Sequence, residues 1–512
     1  MSARGPIARL DAVPMHVLVG AVLLAHVALA AILAFAGVLA YDGGGILLSA
    51  LVGVGASIVA SLLFGRIAHR PAHLPSAAIT GLLVALIALP PSLSRPSGLA
   101  DLAVVAAVSV LAAAAKVLAV RRGRLVVNPA AAGLVVAGIV LPLVSPGAAV
   151  EAWWVAALPL LPLTIVGGAL VLVRTRIVAP ALALVAAGVL LQAVAYAAFT
   201  GDLARALTQA VGQSPVLFLA AFMFSEPITL PPLRWQRVLV GMLVGVLVAV
   251  PALAGVAGIP VGIGAFYPGP ALALVVGNVV AFLLGSRHGT ILRLTGLERD
   301  GDLVDLRFVA EPELEHRPGQ WVELSIPHRA DLRGERRVFS VASPPGSPEV
   351  RLGVRAAEPI SSFKRHLLDM EPGDTVAVTR QGGDFTPKPG RPRLLVAAGI
   401  GVTPFLSHLG ASDEDTVLVL LLRDGDPVPF PTALAQASAR IVVVAPTAPE
   451  GMSEGWEHVA GRIDGDRLRE LVPDLAERQV LVSGSSAQVG SLRRIAKAAG
   501  ARRVLVDAFA GY

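Results

Sequence analysis

Arg337-Val338-Phe339-Ser340 is the run in this chain whose residue types best suit a phosphorylated planar ring. A guanidinium forks onto a phosphate, an aromatic side chain lies on a flat heterocycle, and a hydroxyl one residue later reaches the edge of that ring. In a strand, period-two alternation places Arg337 and Phe339 on one face and Ser340 on the other, so the three need not touch the same ligand atom. Further on, Gly399-Ile400-Gly401-Val402-Thr403-Pro404 follows the apolar stretch Leu394-Ala398 and precedes a helical run from Phe405. Strand, glycine turn and helix together present backbone N–H groups and a helix N-terminus to a pyrophosphate. A third chemical group stands alone: Glu226, a carboxylate in Phe222-Met223-Phe224-Ser225-Glu226-Pro227, inside an otherwise apolar half of the chain. An ionisable residue there is a functional-site candidate by default.

The elements that must position these groups follow from patterning. From Leu292 onward short alternating stretches separated by Pro and Gly (Leu303-Phe308, Trp321-Ile326, Val338-Ala342, Val350-Val354, Thr375-Thr379) predict a small antiparallel β-barrel or sandwich. After Arg393 the pattern becomes strand alternating with helix, with strands at Leu394-Ala398, Thr416-Leu422, Ile441-Ala445, Gln479-Ser483 and Arg503-Asp507, as a parallel α/β sheet of Rossmann-like type requires. The expected division is therefore a membrane domain over 1–286, a β-barrel over 287–388 and an α/β domain over 389–512.

The first of these is read from hydropathy. Of 512 residues 55% are hydrophobic, with a mean hydropathy of +0.72. Apolar stretches long enough for a hydrocarbon core of about 30 Å recur near 14–40, 46–66, 75–90, 99–120, 125–144, 153–173, 177–199, 212–230, 236–256 and 261–285, predicting a polytopic all-α bundle of about ten spans. Arginines alternate with them: Arg4 and Arg9, Arg66 and Arg70, Arg121 to Arg124, Arg174 and Arg176, Arg234 and Arg237, Arg287 and Arg293 fall on one side, and only Arg95 and Arg205 on the other. By the positive-inside rule both termini and the polar half are expected in the cytoplasm of a multi-pass cell-membrane protein. The first apolar run is too long for the core of a cleavable leader. Ten spans divide into an inverted five-plus-five repeat, and the third span of each half is short and Pro-bounded: residues 75–91 and 214–232 both end in Leu-Pro-Pro. Interrupted spans at matching positions point to a ligand site near the midplane.

Three blocks in this half resemble the RnfD/NqrB family of flavin-carrying membrane subunits: Thr80-Gly81-Leu82-Leu83 through Pro90-Pro91, Asn128-Pro129-Ala130, and Phe222 through Thr229. The resemblance implies a membrane flavin or quinone site at Thr80, Gly81, Asn128, Ser225, Glu226 and Thr229. It departs at the family's covalent attachment motif of S-G-A-T type, since the corresponding loop reads Val144-Ser145-Pro146-Gly147-Ala148-Ala149. A non-covalent FMN or a quinone is the expected membrane carrier. Haem needs histidines on facing helices. His16 and His26, with His69 and His73 at a helix end, make a weak set, and Lys116 lies close enough to the inner boundary to snorkel.

Residues 288–512 resemble the ferredoxin reductase superfamily of FAD and NAD(P)H modules. The match implies that Arg337 meets the FAD phosphate, Phe339 stacks on the flavin and Ser340 lies near its reactive nitrogen. Ser361, Ser362 and Phe363 stand in the pyrophosphate segment, and Gly383-Asp384-Phe385-Thr386 matches the G-D-F-T turn. Gly399, Gly401, Thr403 and Pro404 form the nicotinamide-domain turn, and Gly484 survives in an altered C-G-P-P turn, Ser483-Gly484-Ser485-Ser486. Phe509 and Tyr512 supply the terminal aromatics, and Asp507 stands where Glu is common. Ser340, Phe339 and Tyr512 are the residues expected at the reacting edge.

Cysteine is absent, which removes disulfides, thiolate-held iron–sulfur clusters and thiol nucleophiles. No metal set is expected. The net charge of +6 carries no basic stripe interleaved with aromatics, so nucleic acid is not an expected partner. Arg423 beside Asp424 leaves NADH or NADPH open. Together the readings imply an NAD(P)H-dependent FAD oxidoreductase in the lipid bilayer that passes electrons toward an extracytoplasmic flavin-carrying acceptor. A quinone reductase and a redox-sensing transporter are the alternatives.

Overall fold

The computed structural model describes residues 6–95, 97–121, 123–145, 150–262, 266–285, 289–411 and 415–509. It divides into two compact units, one of Val13–Arg287 with Pro327–Gly334 and one of Met1–Ala12, His288–Ile326 and Glu335–Tyr512. The boundary expected near residue 388 thus falls within one unit.

The short helix α1 (Pro6–Asp11) belongs to the second unit. The helical unit runs α2 (Met15–Phe35), α3 (Gly43–Ile67), α4 (Leu74–Ile87), α5 (Gly98–Leu118), a hairpin of β1 (Val120–Arg121) and β2 (Arg124–Leu125), then α6 (Pro129–Val144), α7 (Leu161–Thr175), α8 (Val178–Thr200) and α9 (Leu203–Gly212). The short α10 (Val216–Phe218) leads into a π-helical turn over Leu219–Met223, and α11 (Arg234–Val256) and α12 (Pro270–Leu284) complete it.

Among the described residues six helices are long and apolar enough to cross a membrane, or seven if the pair Leu203–Gly212 and Val216–Met223, bent by 41°, counts as one span. This is fewer than the ten expected, and proline explains the difference. Helix α4 stops after 14 residues, just before Pro90 and Pro91, α6 starts at Pro129 and contains Pro142, and α12 starts at Pro270 and has 15 residues. At about 1.5 Å per residue each falls short of a span of about 30 Å. The long helices α2, α3 and α8 are apolar all round, and residues such as Leu51 and Ile32 are left 71% and 63% exposed, as a membrane domain requires.

The two halves share a packing scheme. Helix α3 packs on α4 and α5, and α5 on α6, while α8 packs on α9 and α11, and α11 on α12. Close crossings depend on glycine: a Cβ on Gly53 would lie 2.7 Å from the carbonyl oxygen of Gly81. In a bilayer such small-residue contacts provide the packing that hydrophobic burial between helices does not.

The second unit contains two six-stranded sheets. The first has β3 (Thr290–Asp300), β4 (Leu303–Glu311), β5 (Trp321–Ser325), β6 (Arg336–Ser340), β7 (Val350–Arg355) and, after α13 (Ser362–Leu368), β8 (Thr375–Gly382). Its strands are antiparallel in the order β6-β5-β8-β3-β4-β7, and a bridge between Val341 and Leu352 joins the two edges. A buried pair ties β8 to β5, with Arg380 Nη2 2.6 Å from Glu323 Oε2 and Thr379 Oγ1 donating to Glu323 Oε1 at 2.6 Å. Burial opposes ionisation of Glu323, but the charges of Arg380 and Arg336 and the bonds from Arg380 and Thr379 outweigh it and hold the carboxyl at about 2.

The second sheet is built from β9 (Arg393–Ala398), α14 (Thr403–Leu409), β10 (Thr416–Leu421), α15 (Pro431–Ala435), β11 (Arg440–Ala445), β12 (Glu457–Ala460), α16 (Gly465–Leu471), β13 (Gln479–Ser485), α17 (Ser486–Ala498) and β14 (Val504–Phe509). All its strands are parallel, in the order β12-β11-β10-β9-β13-β14. Strand β9 is buried along its whole length, which is why Leu394-Ala398 shows no alternation. The chain turns back at β9, so the crevice beyond the carboxyl ends of β9 and β13 is where a doubly wound sheet binds its ligand.

Candidate functional site

Strand β6 pairs with β5 in a register that sets Leu324 opposite Arg337, Val322 opposite Phe339 and Trp321 opposite Ser340. Alternation does what the sequence predicts: Arg337 and Phe339 are buried on one face, and Ser340 lies on the other. Helix α13 then adds Phe363. Its ring stacks with Phe339 at 6.1 Å between centroids, and the Arg337 guanidinium lies 5.4 Å above it. Ser361 caps α13 by accepting from the Lys364 N–H at 3.3 Å, which fixes where Ser362 and Phe363 begin. Lys364 Nζ donates to the Arg355 carbonyl at 2.7 Å, anchoring the helix to β7.

The second group of site residues lines the crevice of the parallel sheet. Gly399 takes a left-handed φ of +56° directly after β9, a turn that a side chain resists. A Cβ on Gly401 would lie 2.6 Å from the Ser483 carbonyl oxygen and 2.8 Å from the Gly484 Cα, so the β9 and β13 turns pack backbone to backbone. Thr403 Oγ1 donates to the Ile400 carbonyl at 2.6 Å, and Pro404 occupies the first turn of α14. Ser483 Oγ is fully buried there without a hydrogen-bond partner among the described residues.

Two contacts bring the antiparallel sheet and the crevice together. Ser340 Oγ donates to Asp507 Oδ2 at 3.4 Å, and Gly353 of β7 gives room to the Thr403 methyl. Sequence reasoning noted Asp507 without a role; its register opposite Ser483, together with the Ser340 contact, places a carboxylate and two hydroxyls at this junction. Phe509 ends β14 opposite Ser485. Tyr512 lies outside the described residues. Near the end of β10, Asp424 accepts from Thr447 Oγ1 at 2.7 Å and Asp426 from Arg355 Nη2 at 3.3 Å, an arrangement the sequence did not reveal because its partners are far along the chain.

These residues fit an FAD and a nicotinamide dinucleotide. The Arg337 guanidinium has the chemistry to meet a phosphate, Phe339 has a ring that suits a flat heterocycle with Phe363 buried behind it, the Gly399–Pro404 turn has the form of a backbone cradle, and Ser483 carries a buried hydroxyl with no hydrogen-bond partner among the described residues.

The helical unit holds a second candidate site within itself, a pocket lined in part by His16, Ser76, Thr80, Asn128, Ser225 and Glu226. Asn128 caps α6 through Ala131 N at 3.1 Å and donates to Glu226 Oε2 at 2.9 Å and to the Met223 carbonyl at 3.3 Å. Two expected residues do not line the pocket: Gly81 sits at the crossing of α3 and α4, and Thr229 donates to the Glu226 carbonyl at 3.2 Å. The pocket is formed by the starts of α2 and α6, the inner face of α4 from Ser76 to Leu83, the end of α7 and the segment from Phe222 to Glu226 after the π-helical turn begins. Arginines read from sequence as topology signals also do structural work. Arg124 Nη2 donates to the Leu230 carbonyl at 3.1 Å, and Arg237 Nε and Nη2 donate to the Pro231 and Pro232 carbonyls at 2.8 and 3.0 Å. For Arg237 the signal was a basic residue just after a Leu-Pro-Pro break; Arg124 had none, its partner lying 106 residues away. His26 is engaged at both nitrogens, with Nδ1 2.8 Å from the Val22 carbonyl and Nε2 3.1 Å from Thr164 Oγ1. His16 and His73 meet edge to face at 4.6 Å. Residues 146–149, where the covalent flavin motif would fall, lie outside the described residues.

Comparison with known proteins shows what the sheet-rich unit is similar to in sequence. No family model matches the chain. Over 98 residues it is 43% identical to ferredoxin–NADP reductase B of Sorangium cellulosum (strain So ce56), a match spanning 18% of this chain and 38% of that protein. Over 233 residues it is 28% identical to the NADPH oxidoreductase of Mycobacterium tuberculosis (strain ATCC 25618 / H37Rv), spanning 43% and 59%. Among solved structures, a ferredoxin NADP+ reductase from Neisseria gonorrhoeae with bound FAD and NADP superposes with a TM-score of 0.36 at 17% identity, covering 44% of this chain and 99% of that one. The chain thus spans less than two thirds of the length of either curated relative.

Proposed function

We propose that the chain is a membrane-bound NAD(P)H-dependent FAD oxidoreductase that moves electrons from cytoplasmic NAD(P)H into and across the membrane to an extracytoplasmic flavin-carrying acceptor. The observation that carries the enzymatic part is the junction of Ser340, Asp507 and Ser483 beside the Gly399–Pro404 turn, in a unit similar in sequence to ferredoxin–NADP reductases. FAD, when bound, supplies the capacity to accept a hydride and release electrons singly. The chain's own residues supply placement. Arg337 neutralises a phosphate, Phe339 provides a flat face backed by the buried Phe363, and the two glycine turns bring a dinucleotide's pyrophosphate against backbone N–H groups. Ser340 holds a hydroxyl at the reacting edge, and Asp507 orients it. Overall, one NAD(P)H and one proton yield NAD(P)+ and a two-electron-reduced acceptor.

Arginines flanking the apolar helices support the cytoplasmic placement of the reductase unit and of both termini. The pocket at Asn128 and Glu226 is the proposed seat of the membrane carrier, a non-covalent FMN, because it gathers four of the six residues the family resemblance implied. Extraction of cofactors from the purified full-length protein tests the proposal. Two flavins, one of them FAD, are the predicted result; FAD alone with rapid NADH-dependent reduction of an added quinone would replace the flavin relay with quinone reduction.

A further inference from the structure

The proposed carrier pocket offers four side-chain hydroxyls, on Ser76, Thr80, Thr175 and Ser225. Three are already spent. Thr80 Oγ1 donates to the Ser76 carbonyl at 2.9 Å, Thr175 Oγ1 to the Val171 carbonyl at 2.8 Å and Ser225 Oγ to the Ala221 carbonyl at 2.6 Å. Ser76 differs. Its Oγ accepts from Lys116 Nζ at 3.0 Å, while the same ammonium donates to the Ser76 carbonyl at 2.8 Å. The Ser76 hydroxyl proton has no recorded acceptor among the described residues.

Lys116 is therefore not a snorkelling side chain. It turns inward from α5 onto the first turn of α4 and spends two of its three donors on one serine. A hydroxyl that accepts from an ammonium becomes a stronger donor to its next partner, because the two hydrogen bonds polarise each other. The pocket's carboxylate, Glu226, is held by Asn128 and lies within electrostatic range of Lys116. The site thus pairs an acceptor group with a cation-backed donor, and the two opposite charges compensate each other in an apolar surrounding.

We infer that Ser76, backed by Lys116, is the donor that binds the carbonyl edge of the membrane redox ring, and that Glu226 accepts from its N–H edge. This rests on the reading that a flavin ring occupies the pocket. A carbonyl edge gains negative charge when such a ring is reduced, so a donor polarised by an ammonium binds the reduced form more tightly than the oxidised form and raises the ring's potential. Ser76 and Lys116 are positioning residues of the electron path and make no bond to the reductase site.

The test is potentiometric titration of both flavins in full-length protein in lipid nanodiscs, comparing wild type with Ser76→Ala, Ser76→Thr and Lys116→Met. Ser76→Ala removes the donor without removing a charge, so it also guards against a folding defect in the lysine variant. The expected result is a tenfold loss of preference for the reduced ring in Ser76→Ala and Lys116→Met, about 30 mV for a two-electron couple. Ser76→Thr should retain the wild-type potential, and FAD should not move in any variant. Retention of the membrane flavin at an unchanged potential in both Ser76→Ala and Lys116→Met overturns the inference alone. A wild-type protein that carries FAD but no second flavin overturns the carrier reading, and the inference with it.

Discussion

The reductase crevice and the membrane pocket are organised in opposite ways. In the crevice, function resides in short contiguous runs: a strand run fixes Arg337 and Phe339, and a glycine turn fixes Gly399 to Pro404. In and beside the pocket, the decisive polar groups are held by partners on other elements. Asn128 holds Glu226, Lys116 holds Ser76, and Arg124 holds the Leu230 carbonyl. Water can satisfy a loose end in the first region. Lipid cannot do so in the second, so the broken helices must borrow their caps from distant residues.

This contrast predicts that changes in the crevice alter ligand binding while the fold persists, and that the deepest stability loss comes where a charge is stranded. Arg337→Ala should have the largest functional effect, a loss of about 1.5–3 kcal/mol of charge-assisted phosphate bonding, seen as FAD released on gel filtration and a matching fall in NAD(P)H oxidation. Glu323→Gln should cost about 3–5 kcal/mol because Arg380 is left buried and unpaired, measured by thermal unfolding, with the helical unit's own transition unchanged.

The same pair gives a pH dependence. The folded carboxyl lies at about 2, below its ordinary 4.5, so its stabilisation is complete above about 4.5 and is lost as pH falls through about 2. His408 acts earlier. Burial and then the Arg393 charge push its imidazole down from 6.5 to about 4, so the unfolded chain takes up the proton first and stability falls as pH drops from 6.5 toward 4. Unfolding midpoints across that range, in wild type and His408→Gln, check the sign: the variant should lose the upper part of the dependence.

Gly401→Ala should raise the KM for NAD(P)H about tenfold with FAD retained, because its Cβ has no room against Ser483 and Gly484. The smallest effect belongs to Asp424→Ser, a several-fold shift of preference toward NADPH, since a carboxylate held by Thr447 beyond the second strand favours a ribose hydroxyl over a phosphate. Competing NADH and NADPH turnover measures it.

The same difference explains what could be read from the chain. Period-two alternation placed Arg337, Phe339 and Ser340 correctly on their faces, and the unbroken apolar run Leu394-Ala398 became the central buried strand. These are local signals. Hydropathy found the apolar helices but overcounted full-length spans, because it is blind to the prolines that stop α4 and start α6 and α12. It also read Lys116 as interfacial, since nothing near residue 116 announces Ser76 forty residues earlier. Gly81 looked like a ligand contact, yet its neighbour is Gly53 across a helix crossing, which a motif cannot distinguish.

The central claim is that electrons from NAD(P)H on one side reach an acceptor on the other, and sealed proteoliposomes test it directly. With ferricyanide trapped inside and NADH or NADPH supplied outside, neither able to cross the bilayer, the account predicts reduction of the trapped ferricyanide at a rate that vanishes in Arg337→Ala. Steady NAD(P)H oxidation by an external acceptor, with the trapped ferricyanide left untouched, would contradict it.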